Sequence, residues 1–273
     1  MAKLLDHDQI QHWNQNGIVF PIAVLSENEI NQYHSDLADL EARLGGRPKA
    51  AELLELNLYY RWAHDLANHS RVLDAVEDVL GADILVWGCG VFTKYPQDAS
   101  YVSWHQDGTY WGLDEGKIVT AWIALTPSTP ANGCMRVVPG SHRQPIQPHV
   151  ETYADDNLLS RGQEVQVDVD ESEAMDVVLN AGEMSLHDVR LIHGSNDNPT
   201  DTKRAGFAVR YITPGVRPAE AEQTVTLARG EDRYGHFPRQ DSPPTAPVAE
   251  AVAAHTAAVR QYMEMMRRTK GNF

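Results

Sequence analysis

The sequence predicts a mostly β protein with flanking helices, built as a double-sheet jelly roll or cupin-like barrel. Between residues 84 and 213 the chain is a series of short runs rich in β-branched and aromatic residues, bounded by Gly, Pro, Asn and Asp. This pattern is typical of strands joined by turns. Helical periodicity is strongest before and after this region. Together the two observations favour a β core enclosed by helices.

Helices are predicted on the N-terminal side of the core. Ser26 and Glu29 form a capping box, and apolar residues then recur every three or four positions until the glycines at 45–46. A shorter helix is predicted from Ser70 to Gly81. The intervening segment 50–68 is also expected to be helical.

Eight strands are predicted in the central region from β-type composition and turn residues. They lie near Ile84–Tyr95, Val102–Gln106, Ile118–Leu125, Met135–Val138, Asp176–Leu179, Glu183–His187, Leu191–Gly194 and Arg204–Ile212.

One domain is expected over residues 1–273. It would comprise a mainly helical flank at 1–83, the β core at 84–213 and an extension at 214–273 that ends in a helix around 248–268. The segment 143–166 is too long for a simple turn and is expected to form a lid-like insert.

The composition excludes several classes of function. The chain has 23 Lys and Arg against 38 Asp and Glu, a formal charge of −15. An acidic surface repels phosphate backbones and anionic lipids, so we expect no nucleic-acid or membrane partner. Cys89 and Cys134 are too few for a disulfide framework or a thiolate zinc site. The N-terminus lacks the apolar core of a signal peptide, and a cytoplasmic monomer or homodimer is expected.

The first candidate for chemistry is the motif of His105 and Asp107. On a strand, residues two positions apart project from the same face, so both side chains could reach one metal ion. With a second imidazole they would form the facial triad of non-haem iron(II) oxygenases, which leaves coordination positions open. The motif is weak alone, because it recurs at His34 and Asp36. That second copy lies in a predicted helix, where residues two apart do not share a face.

The second candidate is a predicted hairpin that brings His193 and Arg204 to one end of the sheet. A guanidinium can bind a carboxylate through two parallel hydrogen bonds, which suits the far carboxylate of 2-oxoglutarate. His187 also ends a predicted strand and is a rival for the third metal ligand.

Several motifs together resemble the phytanoyl-CoA dioxygenase family of iron(II)/2-oxoglutarate-dependent oxygenases. In order they are Trp104-His105-Gln106-Asp107, Thr120-Ala121-Trp122, the run from Asn132 to His142, and Met184-Ser185-Leu186-His187 onward to Arg204. The similarity spans about Leu5 to Thr213.

The resemblance implies a double-stranded β-helix and an oxidative decarboxylation of 2-oxoglutarate coupled to substrate hydroxylation. It implies iron(II), 2-oxoglutarate and O2 as cofactor and cosubstrates, with ascorbate as a possible addition in vitro. The matching metal ligands are His105, Asp107 and His193, which favours His193 over His187. The matching cosubstrate contacts are Arg204 and Ser195, followed by Lys94, Gln106 and Trp122.

The expected reaction is hydroxylation of an unactivated C–H bond in a small molecule, such as a secondary metabolite or an amino-acid-like or phosphonate-like compound. Halogenation is disfavoured, because Asp107 fills the position that chloride would need. Candidate substrate contacts are Tyr110, Trp111, Tyr60, Arg61, His187 and Arg190. Two alternatives stay open at this point: a cupin-like hydrolase or isomerase with another metal, and a non-catalytic ligand-binding relative.

Overall fold

The computed structural model describes residues 2–109, 111–114, 116–159, 161–218 and 223–268, with side-chain detail up to residue 260. The helices are His7–Asn16 (α1), Glu27–Arg43 (α2), Arg61–Ala67 (α3), Ser70–Leu80 (α4) and Val248–Arg268 (α5). The longer strands are Ile18–Ala23 (β1), Ile84–Lys94 (β2), Val102–His105 (β3), Ile118–Ala124 (β4), Glu183–Asp188 (β9), Arg204–Ile212 (β11) and Thr226–Arg229 (β12). The shorter ones are Met135–Val137 (β5), His149–Glu151 (β6), Gln163–Val165 (β7), Met175–Asp176 (β8) and His193–Ser195 (β10).

Two antiparallel sheets form the barrel. The larger has the order β1-β9-β4-β11-β2-β12, and the smaller has the order β3-β10-β5-β8. Their inner faces share one apolar cluster, in which Trp122 and Ala208 of the larger sheet meet Met135 and Val137 of the smaller. The predicted fold class is therefore confirmed.

The outer face of the larger sheet is covered by the helices. Phe207, Val209 and Tyr211 alternate along β11 and enter the cluster that α2, α3 and α4 complete. Because side chains on a strand alternate between faces, Arg204, Gly206, Ala208 and Arg210 must point into the barrel. The helical flank thus fixes which residues of β11 face the interior.

The helix caps behave as the sequence predicts. The Ser26 hydroxyl accepts from the Glu29 amide, the Glu29 carboxylate accepts from the Ser26 amide, and α4 ends at Gly81. The segment 50–68 is helical as expected, but it is divided into shorter pieces. Two short 3-10 turns precede α3, because Glu55 adopts a left-handed backbone with φ 55° and interrupts the helix.

Several strands were not predicted. β1 contains Pro21, which argues against a central strand, but β1 lies at the edge of its sheet, where proline is tolerated. β6 and β7 pair antiparallel within the insert, and β7 lies against β3. In the part of the chain that the structure describes, no helix is long and apolar enough to cross a membrane.

Candidate metal centre

The candidate metal centre lies where β3 and β10 pair. His105 ends β3 and is the direct partner of His193 in β10, with ring centroids 4.1 Å apart. Asp107 follows in a 3-10 turn, so the turn after the strand, rather than strand alternation, delivers the carboxylate. One potential ligand atom from each of the three side chains lies within 4.8 Å of the other two. This spacing fits a single metal ion.

Hydrogen bonds use Nδ1 of His105 and of His193 and leave Nε2 of each ring free. His105 Nδ1 lies 2.9 Å from the Ser103 carbonyl oxygen, and His193 Nδ1 lies 2.9 Å from the Leu191 carbonyl oxygen. A carbonyl only accepts, so each Nδ1 carries the hydrogen and each Nε2 keeps its lone pair. Metal-binding histidines are commonly oriented by such a bond on the second ring nitrogen. The donor set therefore fits a divalent ion.

The protonation states suit a metal. Burial alone would raise the pKa of Asp107, but contacts with His105 at 3.6 Å and His187 at 3.7 Å hold that pKa well below its ordinary value. Burial, and then the neighbouring His105, holds the pKa of His193 well below its ordinary value. An ionised carboxylate and a neutral imidazole are the forms that bind a metal.

His187 lies beside this cluster. Its ring centroid is 4.8 Å from that of His193, and its side chain is 2% exposed. Neither ring nitrogen has a hydrogen-bond partner. In the sheet it pairs with Thr120, whose hydroxyl donates to Asp107 Oδ2 across 3.3 Å. His187 thus has free polar atoms facing the space next to the carboxylate.

A second group of residues forms a buried cationic pocket at one end of the barrel. Lys94 and Arg204 are direct partners on β2 and β11 and are 0% and 3% exposed. Lys94 Nζ donates to Ser195 Oγ at 2.6 Å. Arg204 stacks over Trp122, with Cζ 4.7 Å from the ring centroid, and its Nε lies 3.5 Å from Ser128 Oγ.

Burial lowers the pKa of Arg204 to about 10. Burial, followed by repulsion from Arg204, lowers the pKa of Lys94 to about 7. Among the described residues no carboxylate is hydrogen-bonded to either cation. Two buried cations without a counter-ion are costly unless an anion joins them. The pocket is therefore suited to a carboxylate.

Other predicted site residues are placed differently. Gln106 is fully buried, but its amide nitrogen donates to the Arg190 carbonyl at 2.6 Å and its amide oxygen accepts from the Gln147 N–H at 2.8 Å. These bonds to main-chain groups occupy both ends of the side chain. The Arg190 side chain is 48% exposed and pairs with Asp188 at 3.2 Å. It therefore points away from the metal centre.

Tyr60 and Arg61 lie on the other side of the larger sheet, which corrects their expected place near the metal. Tyr60 packs in the outer cluster and contacts His255 at 3.2 Å. Arg61 is 75% exposed and pairs with Asp65. The sequence around Trp62 contains a run of aromatic residues, but it does not indicate on which side of the larger sheet this run lies.

Trp111 is stacked on Trp87, with ring centroids 5.1 Å apart. Tyr110 lies outside the described residues. Sequence reasoning missed Thr120, Glu55 and Arg210, although Arg210 follows Arg204 at an even spacing on β11 and so shares its face.

The comparison with known families decides the affiliation. The sequence model described as Phytanoyl-CoA dioxygenase (PhyH) matches residues 13–206. The chain belongs to this family. The predicted membership in the iron(II)/2-oxoglutarate-dependent oxygenases, with its enzyme class and cofactors, is thereby confirmed, and the three clustered side chains agree with it.

Individual relatives extend over most of the chain. A probable alpha-ketoglutarate-dependent hypophosphite dioxygenase of Stutzerimonas stutzeri is 28% identical over 200 residues, covering 72% of this chain and 67% of that protein. An ectoine dioxygenase of Nocardia farcinica is 23% identical and covers 73% and 75%. The structure of the non-heme monooxygenase ThoJ in its apo form is 32% identical, with a TM-score of 0.80 and coverage of 95% and 99%. CytC3 with Fe(II) and alpha-ketoglutarate, at 20% identity and a TM-score of 0.67, supports the fold alone.

Proposed function

We propose that this protein uses iron(II), 2-oxoglutarate and O2 to hydroxylate an unactivated C–H bond of a small molecule, releasing succinate and CO2. The observation that carries the proposal is the meeting of His105, Asp107 and His193 with their metal-binding atoms free. Family membership favours this reaction over a hydrolase or isomerase with another metal and over a non-catalytic relative.

In this proposal His105, Asp107 and His193 hold the iron, which supplies the capacity to activate dioxygen. Three protein ligands leave positions for the cosubstrate and for dioxygen. The Asp107 carboxylate supports hydroxylation over halogenation, because chloride would need its coordination position. Thr120 keeps the carboxylate oriented by donating to Oδ2.

Arg204 is proposed to bind the far carboxylate of 2-oxoglutarate, with Lys94 adding a second positive charge. Ser195 would add a hydroxyl beside them while holding Lys94 in place. Trp122 would keep the guanidinium oriented through the stacking contact and would exclude water from the pocket. The Gln106 side chain would hold the insert through its hydrogen bonds to main-chain groups and would not contact the cosubstrate.

The substrate is proposed to enter from the end of the barrel at which Trp111 lies, opposite the Arg204 pocket. His187, buried, without a hydrogen bond and 3.7 Å from Asp107 Oδ2, faces the same interior and would contact the substrate. The relatives named for hypophosphite and ectoine support a small molecule as substrate.

The test is anaerobic addition of iron(II) and 2-oxoglutarate, followed by succinate measurement on admission of air with a metabolite library. We expect a weak visible charge-transfer band and substrate-triggered succinate. Asp107→Ala should lose both. Asp36→Ala, in the second copy of the motif on α2, is the matched control and should keep both. A wild-type protein that binds iron without forming the band would overturn the proposal.

A further inference from the structure

Arg210 projects into the barrel in the same row of the sheet as the residues that contact Asp107. It pairs directly with Thr120 on β4, and Thr120 pairs with His187 on β9. Adjacent strands are about 5 Å apart, so Arg210 lies one strand beyond the residue that orients the metal-binding carboxylate. Its guanidinium reaches a point between two aromatic rings, 5.4 Å from that of Trp111 and 5.9 Å from that of Phe92.

Arg210 and Arg204 share the interior face of β11 but stand at different ends of it. They are six positions apart, which is about 20 Å along a strand. Between them the interior positions are Gly206, over which the Trp122 ring packs, and Ala208. The barrel therefore has a cation at each end, and only the Arg204 end is assigned to the cosubstrate.

A carboxylate lies next to Arg210 on this face. Gly88 is the partner of Arg210 on β2, and a Cβ built on Gly88 would lie 2.9 Å from Glu55 Oε1. Glu55 comes from the segment that runs along β2 beyond the part paired with β12, where its N–H donates to the Cys89 carbonyl at 2.7 Å. Its left-handed φ of 55° is rare for a side chain of this kind. Such conformations cluster at functional sites.

Three polar atoms at this end of the barrel have no hydrogen-bond partner. Arg210 Nε, Glu55 Oε2 and Trp87 Nε1 are buried without a hydrogen-bond partner. Among the described residues, Glu55 and Arg210 are not in direct ion-pair contact, although the two charges attract each other and the Gln223 side chain hydrogen-bonds to Glu55. Burial raises the pKa of Glu55 to about 7, although Arg210 and then Gln223 act against the shift. Buried polar groups normally have hydrogen-bond partners, so a bound ligand is the simplest source of the missing partners.

We propose that the substrate is a small zwitterion whose anionic group binds Arg210 and whose cationic nitrogen binds Glu55. This inference rests on the proposed function and names the substrate class of the same site. Arg210 can donate to a carboxylate or a similar oxyanion. Glu55 can accept from an ammonium or amidinium group, and the Trp87–Trp111 stack provides an aromatic surface beside it. With both ends fixed, the carbon skeleton between them lies near the proposed metal centre.

The test compares matched ligands on the wild-type protein. The panel contains the common L-amino acids, glycine betaine and ectoine, each amino acid also as its N-acetyl and its carboxamide derivative. We expect at least one zwitterion to trigger succinate formation and to perturb the anaerobic iron–2-oxoglutarate band. Removal of either charge should weaken its apparent affinity about 10- to 100-fold, the range for a lost charged hydrogen bond.

Two variants test which residue recognises which charge. Glu55→Gln should lose the preference for the zwitterion over its N-acetyl derivative and keep the preference over the carboxamide. Arg210→Met should lose the preference for the zwitterion over its carboxamide and keep the preference over its N-acetyl derivative. The thermal midpoints of both variants separate a folding defect from a change in recognition. The ligand panel on the wild-type protein does not depend on either variant.

The outcomes distinguish this inference from the proposed function. A protein that forms no band with iron(II) and 2-oxoglutarate fails the proposed function. A protein that forms the band but responds to no zwitterion, or responds equally to the blocked derivatives, overturns the zwitterion inference alone.

Discussion

Thr120 and Asp107 are joined by a hydrogen bond of 3.3 Å from the threonine hydroxyl to Oδ2. Asp107 lies in the turn after β3, whereas Thr120 lies on β4 of the opposite sheet. The bond thus crosses the barrel and fixes the carboxylate relative to the larger sheet. Because Oδ1 faces His105 at 3.6 Å, the bond to Oδ2 also fixes which oxygen faces the two metal-binding imidazoles.

Thr120→Val should therefore weaken iron binding by about 10-fold, in the range found when a contact that orients a metal ligand is lost. The valine keeps the shape and removes only the hydroxyl. Metal titration of the purified protein measures the effect. Thr93→Val is the control, since the Thr93 hydroxyl is also buried on the larger sheet but has no partner. Equal affinities in the two variants would contradict the role given to Thr120.

Gly206 is expected to be required for the proposed cosubstrate pocket. A Cβ at this position would lie 1.9 Å from the Trp122 ring, which supports the Arg204 guanidinium. Gly206→Ala should displace the indole and, with it, the guanidinium. We expect the KM for 2-oxoglutarate to rise about 10-fold or more, since overpacking of this kind costs about 1–3 kcal/mol.

Gly215→Ala is the matched control for Gly206→Ala, because the nearest atom to its Cβ would be Tyr234 Cε2 at 3.9 Å. It should leave the KM for 2-oxoglutarate unchanged. A Gly206→Ala protein with a normal KM for 2-oxoglutarate and a lowered thermal midpoint would mean that Trp122 only packs the core.

The sequence was informative where function depends on local pattern. The capping box at Ser26 and the strand ending at His105 are properties of a few consecutive residues. The hairpin predicted to pair His193 with Arg204 was wrong, because β10 pairs with β3 and β5 in the smaller sheet, whereas β11 pairs with β2 and β4 in the larger one. The short connection still brings Ser195, at the end of β10, to Lys94, the partner of Arg204.

The sequence was less informative where several separate segments must meet. Glu55 reaches the barrel interior because its segment follows the part of β2 that β12 leaves unpaired and Glu55 itself is left-handed. Nothing in the local pattern around Glu55 specifies that edge. Tyr60 and Arg61, predicted as substrate contacts, lie on the other side of the larger sheet for the same reason: composition indicates burial or exposure, but not which face of a distant sheet is contacted.

Gln106 should control the order of the insert at 143–166. Its side chain bridges the Gln147 N–H and the Arg190 carbonyl, so Gln106→Leu would leave two main-chain groups without partners. We expect a loss of about 1–3 kcal/mol in the free energy of unfolding of this region. Hydrogen exchange measured by mass spectrometry should show faster exchange in peptides from the insert. Gln144→Leu, at an exposed position in the same segment, should exchange as the wild type does.

The buried Lys94 should make stability depend on pH. Its pKa falls from 10.5 to about 7 in the folded protein because of burial and then Arg204. Between these values the unfolded chain binds more protons than the folded one, so the free energy of unfolding should rise as pH increases from about 7 to 9. The slope contributed by one such group is at most about 1.4 kcal/mol per pH unit. Denaturant unfolding at several pH values measures it.

Affinity for 2-oxoglutarate should change in the opposite direction to stability. A bound carboxylate favours the charged form of Lys94, so binding above pH 7 requires uptake of a proton and should weaken as pH rises to 9. Lys94→Met should flatten both profiles, whereas Lys117→Met, at an exposed position, should keep both. If the affinity profile of Lys94→Met still falls with pH as in the wild type, the proton is taken up elsewhere and Lys94 does not bind the cosubstrate as a cation.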